Sequence, residues 1–426
     1  MAKKIKVTVI GYGDRGSIYA NYAYTNKEEA QIVAVVDLLE YRLKEASEKF
    51  NVPKQNLFTS IEDFINAKIE CDLVVNATMD QLHYQTAVTL IENGYNVLLE
   101  KPVTAVKEEL LDIEKRVKEK GTLLFVCHVM RYSPYFVKVK ELINSGAIGE
   151  IVALEMNEHV SKNHYLTSYV RGRWHSEEEC GSGLLLAKSC HDLDLMCWLN
   201  NISEPDKVSS FGTRAHFVRE KAPEGSAERC FDCKYLDTCE YSAKTAHLDL
   251  DEAQNVTWSG IGKPISEITK QDKIDFLSTS IFGQCAYKIE STLVDRQVVT
   301  VMFKNGSIGT LNMLGGTTKG GRTVHITGTK GEIQGYWESN KFILRVYDGV
   351  KQQFSEQEFD VTEQVKSGHM GGDDCIMRDI VKFLNGDFSS FSITKIDDSI
   401  NGHLCVYGAE ISRKENKIIS IDQLRS

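Results

Sequence analysis

No run of apolar residues in this 426-residue chain approaches the roughly 20 that a membrane-spanning helix requires, so no membrane partner is expected. An excess of basic residues is missing too. With 50 Lys and Arg against 60 Asp and Glu, the formal net charge is −10, which argues against the clustered cationic face that nucleic acid demands. The first residues, Met1 to Lys6, run straight into a short apolar strand and lack both the apolar core and the small-residue cleavage site of a signal peptide. A cytoplasmic location is therefore expected, with the 11 cysteines as reduced thiols or metal ligands, not disulfides. Internal repeats and low-complexity linkers are also absent.

What remains is an ordinary globular composition, 42% apolar and 26% charged, long enough for two domains or three. Residues 5–10 read as a buried strand that runs directly into Gly11-Tyr-Gly13-Asp14-Arg15-Gly16, followed by helical potential over residues 17–25. In this order the glycines have separate duties. Gly11 permits a tight turn, Gly13 lets the backbone approach a pyrophosphate, and Gly16 lets the helix pack close to its strand, while the helix N-terminus faces the phosphates. A second strand, residues 31–37, ends in Asp37, spaced to hold the adenosine ribose hydroxyls. Its carboxylate favours NAD over NADP, although nearby Arg42 keeps NADP open.

Strands at residues 72–78, 95–100 and 122–128 alternate with helices at 82–93 and 106–120, a pattern that predicts a doubly wound parallel sheet of Rossmann type. Ligands bind such sheets at the carboxyl ends of the strands, where Asp37, Thr78, His83 and Lys101 fall. Beyond residue 150 the pattern changes to alternating strands at 151–160, 298–303, 307–314 and 323–328. These predict an α+β domain with a large open, mainly antiparallel sheet. The expected division is residues 1–128, 129–394 with a Cys-containing insertion at about 215–245, and a tail from about 395 to 426.

At Glu100-Lys101-Pro102 the pattern becomes specific, and with the glycine loop it resembles the Gfo/Idh/MocA family of NAD(P)-dependent oxidoreductases. Asn76 to His83, Gly94 to Pro102, Arg131-Tyr-Ser-Pro134 and Ser189-Cys-His191-Asp192-Leu-Asp194 are similar to family landmarks in family order, over most of the chain. The resemblance implies that Lys101 and His191 sit beside the nicotinamide and the reacting hydroxyl. That assignment suits the chemistry: hydride loss from an alcohol needs a base for its proton and a cation for the developing alkoxide. It also implies that Thr78, His83, Glu100 and Lys101 join the glycine loop and Asp37 at the cofactor, that the tail folds back near the first domain, and that the open sheet joins copies into a homodimer or homotetramer.

The chain departs from the family four residues before His191, where many members carry aspartate and this one has Ala187. Residues 187 and 191 are expected to share a helical face, so the histidine loses an orienting carboxylate and a lysine-centred mechanism gains weight. Lys188 reads as an exposed helix lysine. For the substrate, Arg131, Arg171, Trp174, His191, Asp192 and His369 supply the cationic, aromatic and hydrogen-bonding groups that grip hydroxylated compounds. Cys230-Phe-Asp-Cys233 and Cys239 are three thiols of a four-ligand zinc site, with Cys285, His216 or His247 as the fourth. The expected activity is a dehydrogenase acting on a CH–OH carbon of a sugar, amino sugar or polyol. Redox-neutral, NAD-assisted glycoside cleavage and a non-catalytic NAD-binding sensor are the alternatives.

Overall fold

The computed structural model describes residues 3–251 and 254–425. Two sheets organise the chain. The first contains β1 (Ile5–Ile10), β2 (Ala30–Val36), β3 (Leu57–Phe58), β4 (Leu73–Asn76), β5 (Val97–Leu99) and β6 (Leu124–Val126), in spatial order 3-2-1-4-5-6. Every pairing in it is parallel. Its strands are Val- and Leu-rich and almost fully buried, as helices on both faces require. These helices are α1 (Asp14–Thr25), α2 (Glu40–Phe50), α3 (His83–Glu92) and α4 (Lys107–Lys120). The last shows why such segments are helical: Glu108 and Glu109 in its first turn and Lys118 and Lys120 in its last oppose the macrodipole, and Gly121 at φ +66° ends it.

The chain order reverses direction between β1 and β4, so their carboxyl ends open a crevice. After α5 (Pro134–Asn144) the second sheet begins with β7 (Ile151–Ser161). It continues with β8 (Pro205–Thr213), β9 (Arg296–Phe303), β10 (Ile308–Thr317), β11 (Gly321–Gly328), β12 (Gly331–Tyr336), β13 (Lys341–Asp348), β14 (Gln353–Asp360) and β15 (Ile419–Ser420). Its spatial order is 14-13-12-11-7-10-9-8-15, antiparallel except where β7 runs parallel to β10.

One face of this sheet is covered by α6 (Cys190–Leu199), every residue of which is buried, and by α8 (Ile396–Glu415). The opposite face exposes Val152, Phe211, Val298, Met302, Ile308 and Leu314. A further helix, α7 (Gly372–Leu384), buries Ile376, Met377, Ile380 and Val381 against the first sheet's core. The tail binds both halves. β15 pairs with β8, whereas the His403 ring on α8 accepts the Val103 N–H at 3.1 Å and Tyr407 donates to the Thr104 carbonyl at 2.6 Å. Among the described residues no helix is long and apolar enough to cross a membrane.

Candidate active site

The glycine loop has the strained, crowded geometry its spacing foretells. Gly11 sits at φ +82°, and a Cβ there would lie 2.5 Å from the Ala77 carbonyl oxygen. A Cβ on Gly16 would lie 2.0 Å from the Gly11 oxygen, so this turn closes only with glycine at both places. Gly13 is the N-cap of α1 and has no side-chain cap, with Asp14 in the first turn, so first-turn N–H groups remain free for an anion. A Cβ on Gly13 would meet nothing nearer than the Arg42 guanidinium at 3.5 Å, which leaves room above the loop. Asp37, nearly buried at the end of β2, is held by the Leu39 N–H at 2.9 Å and Arg42 at 3.4 Å. An uncapped helix end, a cradle without Cβ atoms and a fixed carboxylate at the end of the neighbouring strand fit a dinucleotide's pyrophosphate and ribose.

Arg15 has a different duty. Its guanidinium binds Glu100 at 2.8 Å, Asp373 at 2.8 Å and the Tyr19 hydroxyl at 2.5 Å, and Tyr19 donates to Glu100 at 2.6 Å. Burial works to raise Glu100, but Arg15 and Lys101 hold its carboxyl below the usual range; Asp373 is likewise held down, against burial, by His369 and Arg15. The side chains of Arg15 and Glu100, expected at the cofactor, therefore form a clamp that ties α1 and the loop after β5 to α7. His83 is a brace of the same kind: its ring nitrogens lie 2.6 Å from the Pro102 carbonyl and 3.0 Å from that of Thr78. Thr78 itself donates to Asn76 at 2.9 Å at the end of β4.

Lys101 leaves the end of β5 and donates from Nζ to the Ala187 carbonyl at 2.8 Å. No carboxylate among the described residues lies within 4.0 Å of that ammonium. The position where a carboxylate was expected thus supplies a backbone oxygen instead. Residues 187 and 191 do not share a helix: a short helix ends at Ala187 and α6 starts at Cys190, because Ser189, at φ −91° and ψ 8°, leaves the helical region. His191, on the first turn of α6, is almost wholly buried, and its Nδ1 has no hydrogen-bond partner. Burial, then the neighbouring Lys101 and His128, push its pKa well down, so it is a neutral imidazole. Its ring meets His128 edge to face at 5.6 Å. Lys101, held on the Ala187 carbonyl, and His191, four residues on, are thus brought near each other beyond the end of β5.

Several residues expected at the substrate are engaged elsewhere. Arg131 is buried in a two-pronged pair with Asp194 at 2.7 and 2.5 Å. Asp192 is fully buried against Arg322 at 2.7 Å, and the Trp174 indole donates to Asp80 at 2.8 Å. Arg171 is also buried, donating to the carbonyls of Gln284 at 2.8 Å and Tyr241 at 2.6 Å. His369 keeps an exposed edge beside Asp373, 3.0 Å away. It lies in three consecutive left-handed residues, His369, Met370 and Gly371. Lys188, expected on the surface, is largely buried beside Glu158 at 3.7 Å. Nothing in its local sequence marks it; the helix break brings it inward.

The zinc expectation is not supported. Cys230, Cys233, Cys239 and Cys285 do line one small cavity, but among the described residues no group of three or more His, Cys, Asp or Glu side chains is arranged to hold a metal. The Arg171 guanidinium stands 3.4 Å from the Cys230 sulfur, a fixed cation where a second cation would have to bind. Burial pushes the Cys239 and Cys285 thiols up, away from the thiolate form that metals need. His216 and His247 point to the Tyr241 and Thr257 hydroxyls, at 2.9 and 3.3 Å.

Comparison with known proteins agrees with this layout. A family model described as an oxidoreductase family with NAD-binding Rossmann fold matches residues 5–128, and its companion C-terminal alpha/beta domain matches residues 140–396. YteT of Bacillus subtilis is 24% identical over 74% of this chain and 73% of its own length. The NADP-dependent scyllo-inositol 2-dehydrogenase IolW of the same organism is 31% identical, over 45% of this chain and half of its own. Among solved structures, a levoglucosan dehydrogenase in complex with NADH and levoglucosan superposes with a TM-score of 0.69 at 17% identity, over 98% of this chain and 100% of that one.

Proposed function

The chain belongs to the Gfo/Idh/MocA oxidoreductase family, and on that footing we propose that it is a dehydrogenase moving a hydride between NAD and a hydroxyl-bearing carbon of a sugar or polyol. The observation that carries this reading is the meeting of Lys101 and the neutral His191 beyond the end of β5. Bound NAD supplies the hydride acceptor. The chain's own residues do the rest. First-turn N–H groups of α1 hold the pyrophosphate, and Asp37 takes the ribose hydroxyls, which favours NAD over its 2′-phosphorylated form.

At the reacting carbon, Lys101 Nζ and His191 are the proton-handling groups. As the C–H bond gives up its hydride to the nicotinamide, the hydroxyl proton passes to the neutral His191, and the Lys101 ammonium beside the oxygen stabilises the negative charge that develops. The inositol dehydrogenase and levoglucosan dehydrogenase relatives support a polyhydroxylated substrate. The test is formation of reduced nicotinamide from NAD and from NADP across a panel of sugars and polyols. A protein that binds NAD but exchanges hydride with none of them overturns the reading.

We assign the protein to the cytoplasm, where its free thiols stay reduced. The apolar outer face of the second sheet supports a homo-oligomer, a dimer or tetramer, which light scattering of the purified protein decides.

A further inference from the structure

Ala187 joins two lysines. Its carbonyl receives Lys101 Nζ at 2.8 Å, and the next residue is Lys188, whose side chain turns inward toward Glu158 and is only 18% exposed. Neither ammonium has a carboxylate of its own. Glu158 and Asp192 are the carboxylates beneath them, and Arg322 lies between the two, 2.5 Å from Glu158 and 2.7 Å from Asp192, so three cations share two carboxylates. Lys188 is left with a contact of 3.7 Å to the shared Glu158, and Lys101 with none within 4.0 Å among the described residues. Glu338 lies close by but accepts the backbone N–H of Arg322, at 2.7 Å, not an ammonium.

A fourth group faces the same space. His164, on the turn after β7, has an edge open to solvent, yet burial together with Lys188, Arg322, Lys101 and His369 pushes its pKa down to about 3. Burial pushes Lys188 down as well, opposed by Glu158. The carboxylates are thus buried, 2% exposed for Glu158 and fully buried for Asp192, whereas Lys188 and His164 keep part of their surface open. Covering these ammonium groups with a neutral sugar would strip their remaining water without replacing it, at a cost in free energy. A substrate anion removes that cost.

We propose, building on the dehydrogenase reading, that the substrate is a sugar acid, with its carboxylate on Lys188 and its reacting hydroxyl on Lys101. With Lys188 next in the chain to the residue whose carbonyl holds Lys101, the carboxylate is placed near the carbon that is oxidised, as in an aldonate or uronate reacting next to its acid group or one carbon further. His164 is the neutral donor at the rim. Lys188 sets specificity; the hydride and proton chemistry stays with the groups already named.

The experiment compares matched compounds with NAD and NADP: hexuronates and aldonates, their parent aldoses and alditols, and the corresponding sugar phosphates. NADH binding is followed in parallel by fluorescence. One charge-assisted contact contributes about 1.5–3 kcal/mol, so at least one sugar acid is expected to exceed its neutral parent about 100-fold in kcat/KM. In Lys188→Met that ratio falls below about 10 through a rise in KM, and in Lys188→Arg, which keeps the charge, most of it returns. Equal or better turnover of the neutral parent, a preference for the phosphate, or a ratio that survives Lys188→Met overturns the proposal and leaves the dehydrogenase reading intact. Turnover of no compound by protein that binds NADH removes both.

Discussion

Replacing Arg15 by Met tests whether this residue is a clamp or a cofactor ligand. The guanidinium makes three bonds, to Glu100, Asp373 and Tyr19, and joins α1 to the loop that carries Lys101 and to α7. Glu100 and Asp373 are almost completely buried, so the methionine strands two carboxylates. Removing one partner of a buried pair costs about 3–5 kcal/mol. Arg15 is 26% exposed, so the lower end applies, about 3 kcal/mol. At about 1 °C per kcal/mol for a chain of 426 residues, Tm falls by about 3 °C.

The pH dependence gives the sharper signature. Both carboxyl groups are held below their ordinary values in the folded protein, so they contribute stability that is present above the unfolded carboxylate range, near pH 4, and is lost as pH falls through their folded values. The variant lacks that contribution and must instead protonate buried acids. Its deficit is therefore largest near pH 7.5 and shrinks toward about pH 4.5. Thermal and urea unfolding at both pH values, monitored by circular dichroism, measure the gap. A deficit below about 1 kcal/mol at neutral pH, or one that does not change with pH, refutes the clamp.

Three further outcomes are expected. Asp37→Ser weakens NAD by about 10- to 100-fold, the loss of one or two charge-assisted hydrogen bonds, and improves NADP; unchanged NAD affinity in a titration removes Asp37 from the ribose site. Gly16→Ala forces apart α1 and the loop, since its Cβ would sit 2.0 Å from the Gly11 oxygen; NADH binding measured by fluorescence should fall at least about tenfold, and wild-type affinity contradicts the packing argument. His191→Gln lowers kcat but leaves the shape of the pH profile between about pH 6 and 8 unchanged, because burial already keeps this imidazole neutral there; a vanished limb near 6.5 shows that His191 titrates after all.

The strands and the glycine loop of the first sheet were legible because buried parallel strands are continuous apolar runs and the loop's glycines are forced by contact. β3 escaped notice, since two residues, Leu57 and Phe58, carry no period. β12 to β14 escaped for a different reason: β14 reads Gln-Phe-Ser-Glu-Gln-Glu-Phe-Asp, an edge strand almost wholly exposed, without an inward face to show alternation. In the site, Lys101 and His191 could be named because motifs carried them. Arg131, Arg171 and Asp192 have the chemistry of substrate ligands, but sequence shows a residue's type and not its partner. Asp194, Gln284 and Arg322, which neutralise or occupy them, lie 63, 113 and 130 residues away. Lys188 is the converse, a surface-type residue drawn inside by the break between two helices.

The central claim is that Lys101 handles charge at the reacting oxygen in an NAD-linked hydride transfer. The most direct measurement is single-turnover formation of reduced nicotinamide by wild type and Lys101→Met, each saturated with NAD and with the best sugar or polyol from the panel. The variant should bind NADH within a few-fold of wild type while its hydride-transfer rate falls by about 10²- to 10⁴-fold, the range for losing a positioned acid–base group. A variant that transfers hydride at the wild-type rate contradicts the account.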